Sequence, residues 1–86
     1  MLQTNACDTR LGAVLLQDHN GTLFPVAYGS RKLSKAERNY SVTEKECLGI
    51  IFGITKFEKY LYGRKFTLQT NQQPFVYLAQ ARAHNV

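Results

Sequence analysis

Cysteine is scarce in this 86-residue chain, with only Cys7 and Cys47 present and no histidine close to either. That excludes both a zinc-ligand spacing and a disulfide framework. Free thiols fit an intracellular setting, cytoplasmic or nuclear. Long apolar runs are missing too. The longest, Cys47 to Ile54, contains two glycines and is bounded by Glu46 and Lys56, far short of the ~20 residues a membrane span requires. No membrane partner is expected. Met1 leads directly into polar Gln3, Thr4 and Asn5, which is unlike a secretory leader. Acidic residues are few: six Asp and Glu against eleven Lys and Arg give a net charge of +5. The excess favours a polyanion or an acidic protein as partner, although small basic domains that bind nothing charged are also common. No repeat, low-complexity tract or linker divides the chain, so residues 1–86 read as a single domain. A domain of this size buries only about 60% of the surface its unfolded chain exposes, so a missing element would be costly.

What is present has a clear order. Residues 11–17 and 22–28 are β-like runs separated by Asp18-His19-Asn20-Gly21. Asn-Gly accepts positive φ at both turn centres, which predicts a hairpin. Pro25 lacks an N–H and places the second strand at a sheet edge. Residues 1–6 add a further strand. From about Thr43 to Leu61 the period changes, with Cys47, Ile50, Ile54, Phe57 and Leu61 forming one helical stripe that Leu48, Ile51 and Phe52 widen. Gly63 ends the helix. Lys65 to Thr70 is a fourth strand, and Gln72-Gln73-Pro74 opens a short helix running to about Gln80. The string is β-β-β-α-β-α, an α+β arrangement of one mixed sheet against helices. Several unrelated folds share that order, so it names no function.

Three positions meet if strands one and four are parallel neighbours: Asn5 at the end of strand one, Asn71 at the end of strand four, and Glu46 on the first helix. Glu46 precedes Ile50 by one turn and so lies on the margin of the sheet-facing stripe. Thr43-x-x-Glu46 is also a capping box, in which Glu46 would only satisfy the helix's own N-terminus. Ser41-x-x-Glu44 offers the same cap without Glu46.

"YGSRKLSKAERNYSVTEKECLGII" resembles the segment from the third strand into the first helix of the ribonuclease H domain of gypsy-type LTR retrotransposon reverse transcriptases, roughly Y-A-S-R-x-L-x-x-x-E-x-N-Y-x-x-T-E-x-E. "NACDTRLGAVLLQDHNG" is similar to that family's D-A-S-D-x-G-x-G-A-V-L-x-Q. "YLYGRKFTLQTNQQPFVYL" is similar to its Y-L-x-G-x-x-F-x-x-x-T-D-H-x-P-L-x-x-L. The resemblance covers essentially the whole chain. It implies a ribonuclease H-like fold that hydrolyses the RNA strand of an RNA–DNA hybrid with two Mg²⁺ ions, held by carboxylates because paired cations need several anionic oxygens.

Carried over by position, Glu46 matches the helix glutamate and is retained. Asn5 and Asn71 stand where the family has metal-binding aspartates. The chain ends before the segment that would bear the last aspartate, so the domain is expected to be incomplete at its C-terminus. Asparagine keeps a carbonyl oxygen and loses the charge, and Mg²⁺ binding at Glu46, Asn5 and Asn71 is expected to be weak or lost. Asp8 matches a family aspartate but lies past the strand end, as a turn residue. Cys7, Arg10 and Gln72 replace the usual Ser, Gly and His, a pattern of drift that a targeted knockout would not leave. Arg31, Lys32, Lys35 and Arg38 cluster before the long helix and offer phosphate contacts, or else form a solvated loop. Tyr28, Tyr40, Tyr60, Tyr62 and Tyr77 read as packing at the core rim. The expectation is a degenerate domain serving as scaffold or nucleic-acid-binding module within a polyprotein. A weakly active nuclease within a longer chain and a protein–protein module are the alternatives.

Overall fold

The computed structural model describes residues 1–70 and the backbone of residues 73–78. Five strands form one sheet in the order β3-β2-β1-β4-β5: β1 Leu2–Ala6, β2 Arg10–His19, β3 Thr22–Lys32, β4 Lys65–Thr70 and β5 Gln73–Leu78. β1 is antiparallel to β2 and parallel to β4, with Leu2 opposite Leu68 and Thr4 opposite Thr70. The parallel pairing expected between strands one and four is therefore present. The β2–β3 hairpin turns through Asn20 and Gly21, at φ 56° and 86°, the double positive φ of a type I′ turn. The Asp18 carboxylate accepts the Gly21 N–H at 2.8 Å. Pro25 does sit on the sheet's edge strand, and the register shifts between Leu15 and Leu16 where it pairs.

The helix expected from Thr43 to Leu61 is divided. α1 spans Val42–Lys56, Phe57 breaks the helical dihedrals at φ −109° and ψ 24°, and α2 covers Glu58–Leu61. Gly63, at φ 75°, follows. Ser41 Oγ accepts the Glu44 N–H and Glu44 returns a carboxylate oxygen to the Ser41 N–H at 2.8 Å. The cap is thus Ser41 with Glu44, and Glu46 takes no part in it.

The seam between α1 and the sheet differs from the apolar stripe. Its buried residues are Lys45, Gly49 and Gly53, continued by Phe57 and Leu61. Cys47, assigned to the stripe by spacing, is exposed, and Ile51 is 61% exposed. The reason is proximity. A Cβ on Gly53 would lie 2.8 Å from Thr4 Cγ2 and 3.2 Å from Ala13 Cβ, so the helix rests on the strands where it has no side chains. Ile50, Phe52 and Ile54 pack beside that line against Leu2, Ala13, Leu15, Phe66 and Leu68.

The last element also differs from expectation. The segment expected as a helix from Gln72 to Gln80 is extended over Gln73–Leu78 and antiparallel to β4, so the sheet gains a fifth strand. Phe75, Val76, Tyr77 and Leu78 are aromatic, β-branched or bulky residues that suit a pleated surface. Pro74 is tolerated there because β5 is the other edge strand. The ribonuclease H-like α+β class stands with that change. Among the described residues no helix is long and apolar enough to cross a membrane.

Candidate functional site

Strand alternation sorts the candidate residues by face. Leu2 and Thr4 are buried under α1, with Thr4 against Gly53. Asn5 therefore points to the opposite face, where it is exposed. It pairs with Gly12 across β1 and β2, and a Cβ on Gly12 would lie 3.1 Å from Asn5 Oδ1. Glu46 is half-buried on the α1 side, one turn before Gly49, which packs over the Asn5 carbonyl. The helix that carries Glu46 and the Asn5 side chain thus lie on opposite faces of the sheet at the end of β1. Asn71, one place beyond Thr70, lies outside the described residues.

Sequence reasoning missed Lys45, which is buried at 9% exposure. Its Nζ donates to the Asp8 carbonyl at 3.5 Å and stands 3.8 Å from the Asp8 carboxylate. Lys45 thus ties the β1–β2 turn to the helix. Asp8 is fully exposed in that turn, as its position past the strand end indicated. The same turn carries Cys7, whose N–H donates to the Arg10 carbonyl at 2.9 Å. Hydrogen bonds from the Thr9 and Arg10 backbone, with the Thr9 hydroxyl, hold the exposed Cys7 thiol below its ordinary range.

The four basic candidates are not equivalent. Arg31 forms a two-pronged pair with Glu37, at 2.8 and 3.2 Å, and donates to the Lys32 carbonyl at 3.0 Å. Glu37 also accepts the Ser34 N–H at 2.8 Å and its own N–H donates to Ser34 Oγ at 3.2 Å, a reciprocal pair just ahead of the 3-10 turn Glu37–Asn39. The Arg31 guanidinium, with help from the Ser34 amide, lowers the Glu37 carboxyl to about 2. Arg31 is therefore a structural clamp on this segment. Lys32, Lys35 and Arg38 are exposed and have no ion pair among the described residues. The tyrosines expected at the core rim are more exposed than that reading allows, Tyr28 at 81% above all; Tyr77 lies among the residues whose side chains are not described.

The donor set can be tested against two Mg²⁺ ions by its chemistry. No three His, Cys, Asp or Glu side chains cluster among the described residues. Among the described residues, the candidates near the end of β1 are the Asn5 amide and the Glu46 carboxylate, with Asp8 exposed in the turn beyond. Two adjacent divalent cations need several anionic oxygens, and the described residues do not by themselves fit such a centre.

The strand order, the parallel β1–β4 pair at the middle of the sheet and the helix crossing β1 and β2 define an α+β domain of the ribonuclease H-like class. The chain belongs to the RNase H-like domain family found in reverse transcriptase, whose model matches residues 1–85. It is 46% identical over 77 residues to the retrovirus-related Pol polyprotein from transposon 412 of Drosophila melanogaster, covering 90% of this chain and 6% of that protein. The Pol polyprotein from transposon opus, also of Drosophila melanogaster, is 41% identical over 85 residues, covering 98% of this chain and 8% of that protein. The transposon Tf2-3 polyprotein of Schizosaccharomyces pombe is 47% identical over 62 residues, 71% of this chain and 5% of that protein. The chain thus spans less than a tenth of the length of these relatives.

Proposed function

We propose that this chain is a catalytically degenerate copy of the domain, serving a retrotransposon-type polyprotein as a scaffold or nucleic-acid-binding module. The observation that carries the reading is Asn5, whose neutral side chain occupies the strand-end position where the resemblance calls for a metal-binding aspartate. Asn71 makes the same exchange in sequence. Lys32, Lys35 and Arg38 supply phosphate contacts, with Arg31 holding the segment in shape through Glu37. Affinity from such contacts is independent of sequence and falls steeply as salt rises.

One observation favours a second reading. Glu46 is kept, half-buried and outside the helix cap, as it would be if a longer chain supplied further carboxylates to a weakly active Mg²⁺-dependent nuclease. Release of labelled RNA fragments from an RNA–DNA hybrid in Mg²⁺ separates the two. The degenerate reading expects no cleavage by the chain and none on Glu46→Gln. Robust cleavage that Glu46→Gln abolishes would overturn it in favour of the nuclease.

A further inference from the structure

The sheet face turned away from α1 carries a second grouping, which shares Lys32 with the basic cluster. Register places Arg10 beside Lys32, Gly12 beside Ser30 and Val14 beside Tyr28 on this face. Gly12 and Val14 in turn stand beside Asn5 and Gln3 of β1, and Gln3 stands beside Gln69 of β4. Gln3 Nε2 donates to Gln69 Oε1 at 2.8 Å, and Arg10 donates to Ser30 Oγ at 3.3 Å. A hollow of about 450 Å³ opens over these amides, with Gly12 in its floor and Tyr28 on its wall. Residues 10–14, 28–32, 3–5 and 67–69 include no Asp or Glu.

We propose that this face binds single-stranded nucleic acid, with a base stacked on Tyr28, base edges met by the amides of Gln3, Asn5 and Gln69, and phosphate held by Arg10 and Lys32. The proposal rests on the nucleic-acid reading above and specifies the strand and the surface. The chemistry is consistent throughout. An exposed aromatic ring offers a stacking platform that any base can use. Side-chain amides present donor and acceptor together, as a base edge requires. The cationic pair lies four residues along β2 from the Tyr28 level, about 13 Å at strand rise, so a strand crossing the hollow reaches both. A carboxylate at position 5 would place a negative charge in the middle of that path. Duplex bases are already stacked and offer Tyr28 no free face.

The test uses the intact chain and labelled twelve-nucleotide probes: oligo(dT), oligo(U) and an RNA–DNA hybrid, with polyglutamate as a charge-only competitor. Fluorescence anisotropy should show the single strands bound more tightly than the hybrid. Tyr28→Ala should weaken single-strand binding by about 5- to 100-fold, within the range for one stacked base, and Tyr28→Phe should retain it. Asn5→Asp should weaken it as well. Because the Tyr28 ring is outside the core, circular dichroism should report both Tyr28 variants as folded. Single-strand affinity unchanged by Tyr28→Ala, or displaced by polyglutamate as readily as by unlabelled oligonucleotide, would overturn the proposal. In that case hybrid binding that Lys35→Glu with Arg38→Glu abolishes would leave the nucleic-acid reading standing. Absence of binding to all three probes would overturn both.

Discussion

Two glycines one helical turn apart should respond to the same substitution with opposite sign. Alanine in place of glycine favours a helix interior by about 0.8–1 kcal/mol. At Gly49 the new Cβ would meet the Asn5 carbonyl oxygen at 3.4 Å and nothing nearer, an ordinary contact, so the propensity gain dominates. Gly49→Ala should stabilise the domain by about 0.5–1 kcal/mol. At Gly53 the Cβ would fall 2.8 Å from Thr4 Cγ2 and 3.2 Å from Ala13 Cβ. Neither atom can swing aside, because Thr4 and Ala13 are buried and Thr4 is stiff about χ1. Overpacking of this kind costs about 1–3 kcal/mol, which exceeds the propensity gain over most of that range. Gly53→Ala should therefore destabilise by up to about 2 kcal/mol, a fall in Tm of up to roughly 16 °C for a domain of this size. Combining it with Thr4→Ser removes the nearest methyl and should recover part of the loss. Urea titration followed by circular dichroism reads all four proteins. A Gly53→Ala variant as stable as Gly49→Ala would refute the close seam on which the placement of Asn5 and Glu46 depends.

The helix cap supplies a second check. Ser41→Ala should cost about 1 kcal/mol and Thr43→Ala only a few tenths, in the same urea assay; the reverse order would transfer the cap to Thr43 and draw Glu46 into it. Glu37 supplies a pH dependence. Its carboxyl is lowered in the folded state to about 2, so the Arg31 pair contributes stability above its ordinary value near 4.5, and that contribution fades as pH falls toward 2. The stability gap between the wild-type chain and Glu37→Gln should shrink across that interval in thermal melts, and a gap independent of pH would contradict the pairing. Cys7, with its thiol held low by the surrounding turn, should be alkylated by iodoacetamide before Cys47 at neutral pH, as peptide mapping by mass spectrometry would show.

Much of the fold was legible because its signals are local. Asn20-Gly21 fixed the hairpin, Pro25 marked an edge, and Ser41 with Glu44 was one of two four-residue caps the sequence offered. The misread features were set by distance between elements, which no periodicity records. Cys47 shares helical spacing with Ile50 and Ile54, yet glycine, not bulk, marks the seam, since α1 approaches the strands too closely for side chains. The segment after Thr70 has a proline suited to a helix start and residues suited to a strand, and an available sheet edge decided for the strand. Arg31 looked like its basic neighbours until Glu37 was seen to claim it. At the candidate site the identities of Asn5 and Glu46 were readable, whereas the face on which Asn5 lies required the strand register.

The parallel pairing of β1 with β4 has a consequence for how the chain acquires its shape. Gln3 and Gln69, bonded across that pair, are separated by 66 positions, whereas β2 and β3 meet through a tight turn. Each doubling of a closed loop adds only about 0.6 kcal/mol of entropic cost, so the long connection is thermodynamically mild. Kinetically it is not, because distant pairings form late. On a ribosome adding about 5–20 residues per second, β1 waits roughly 3–13 s for its second neighbour to be made. During that interval the β1–β2–β3 meander presents β1 as a bare edge, the geometry most prone to pairing with a strand of another chain. The glycine seam of α1 emerges before β4 does, and a helix settling over β1 in that interval would shield the edge until its own partner arrives.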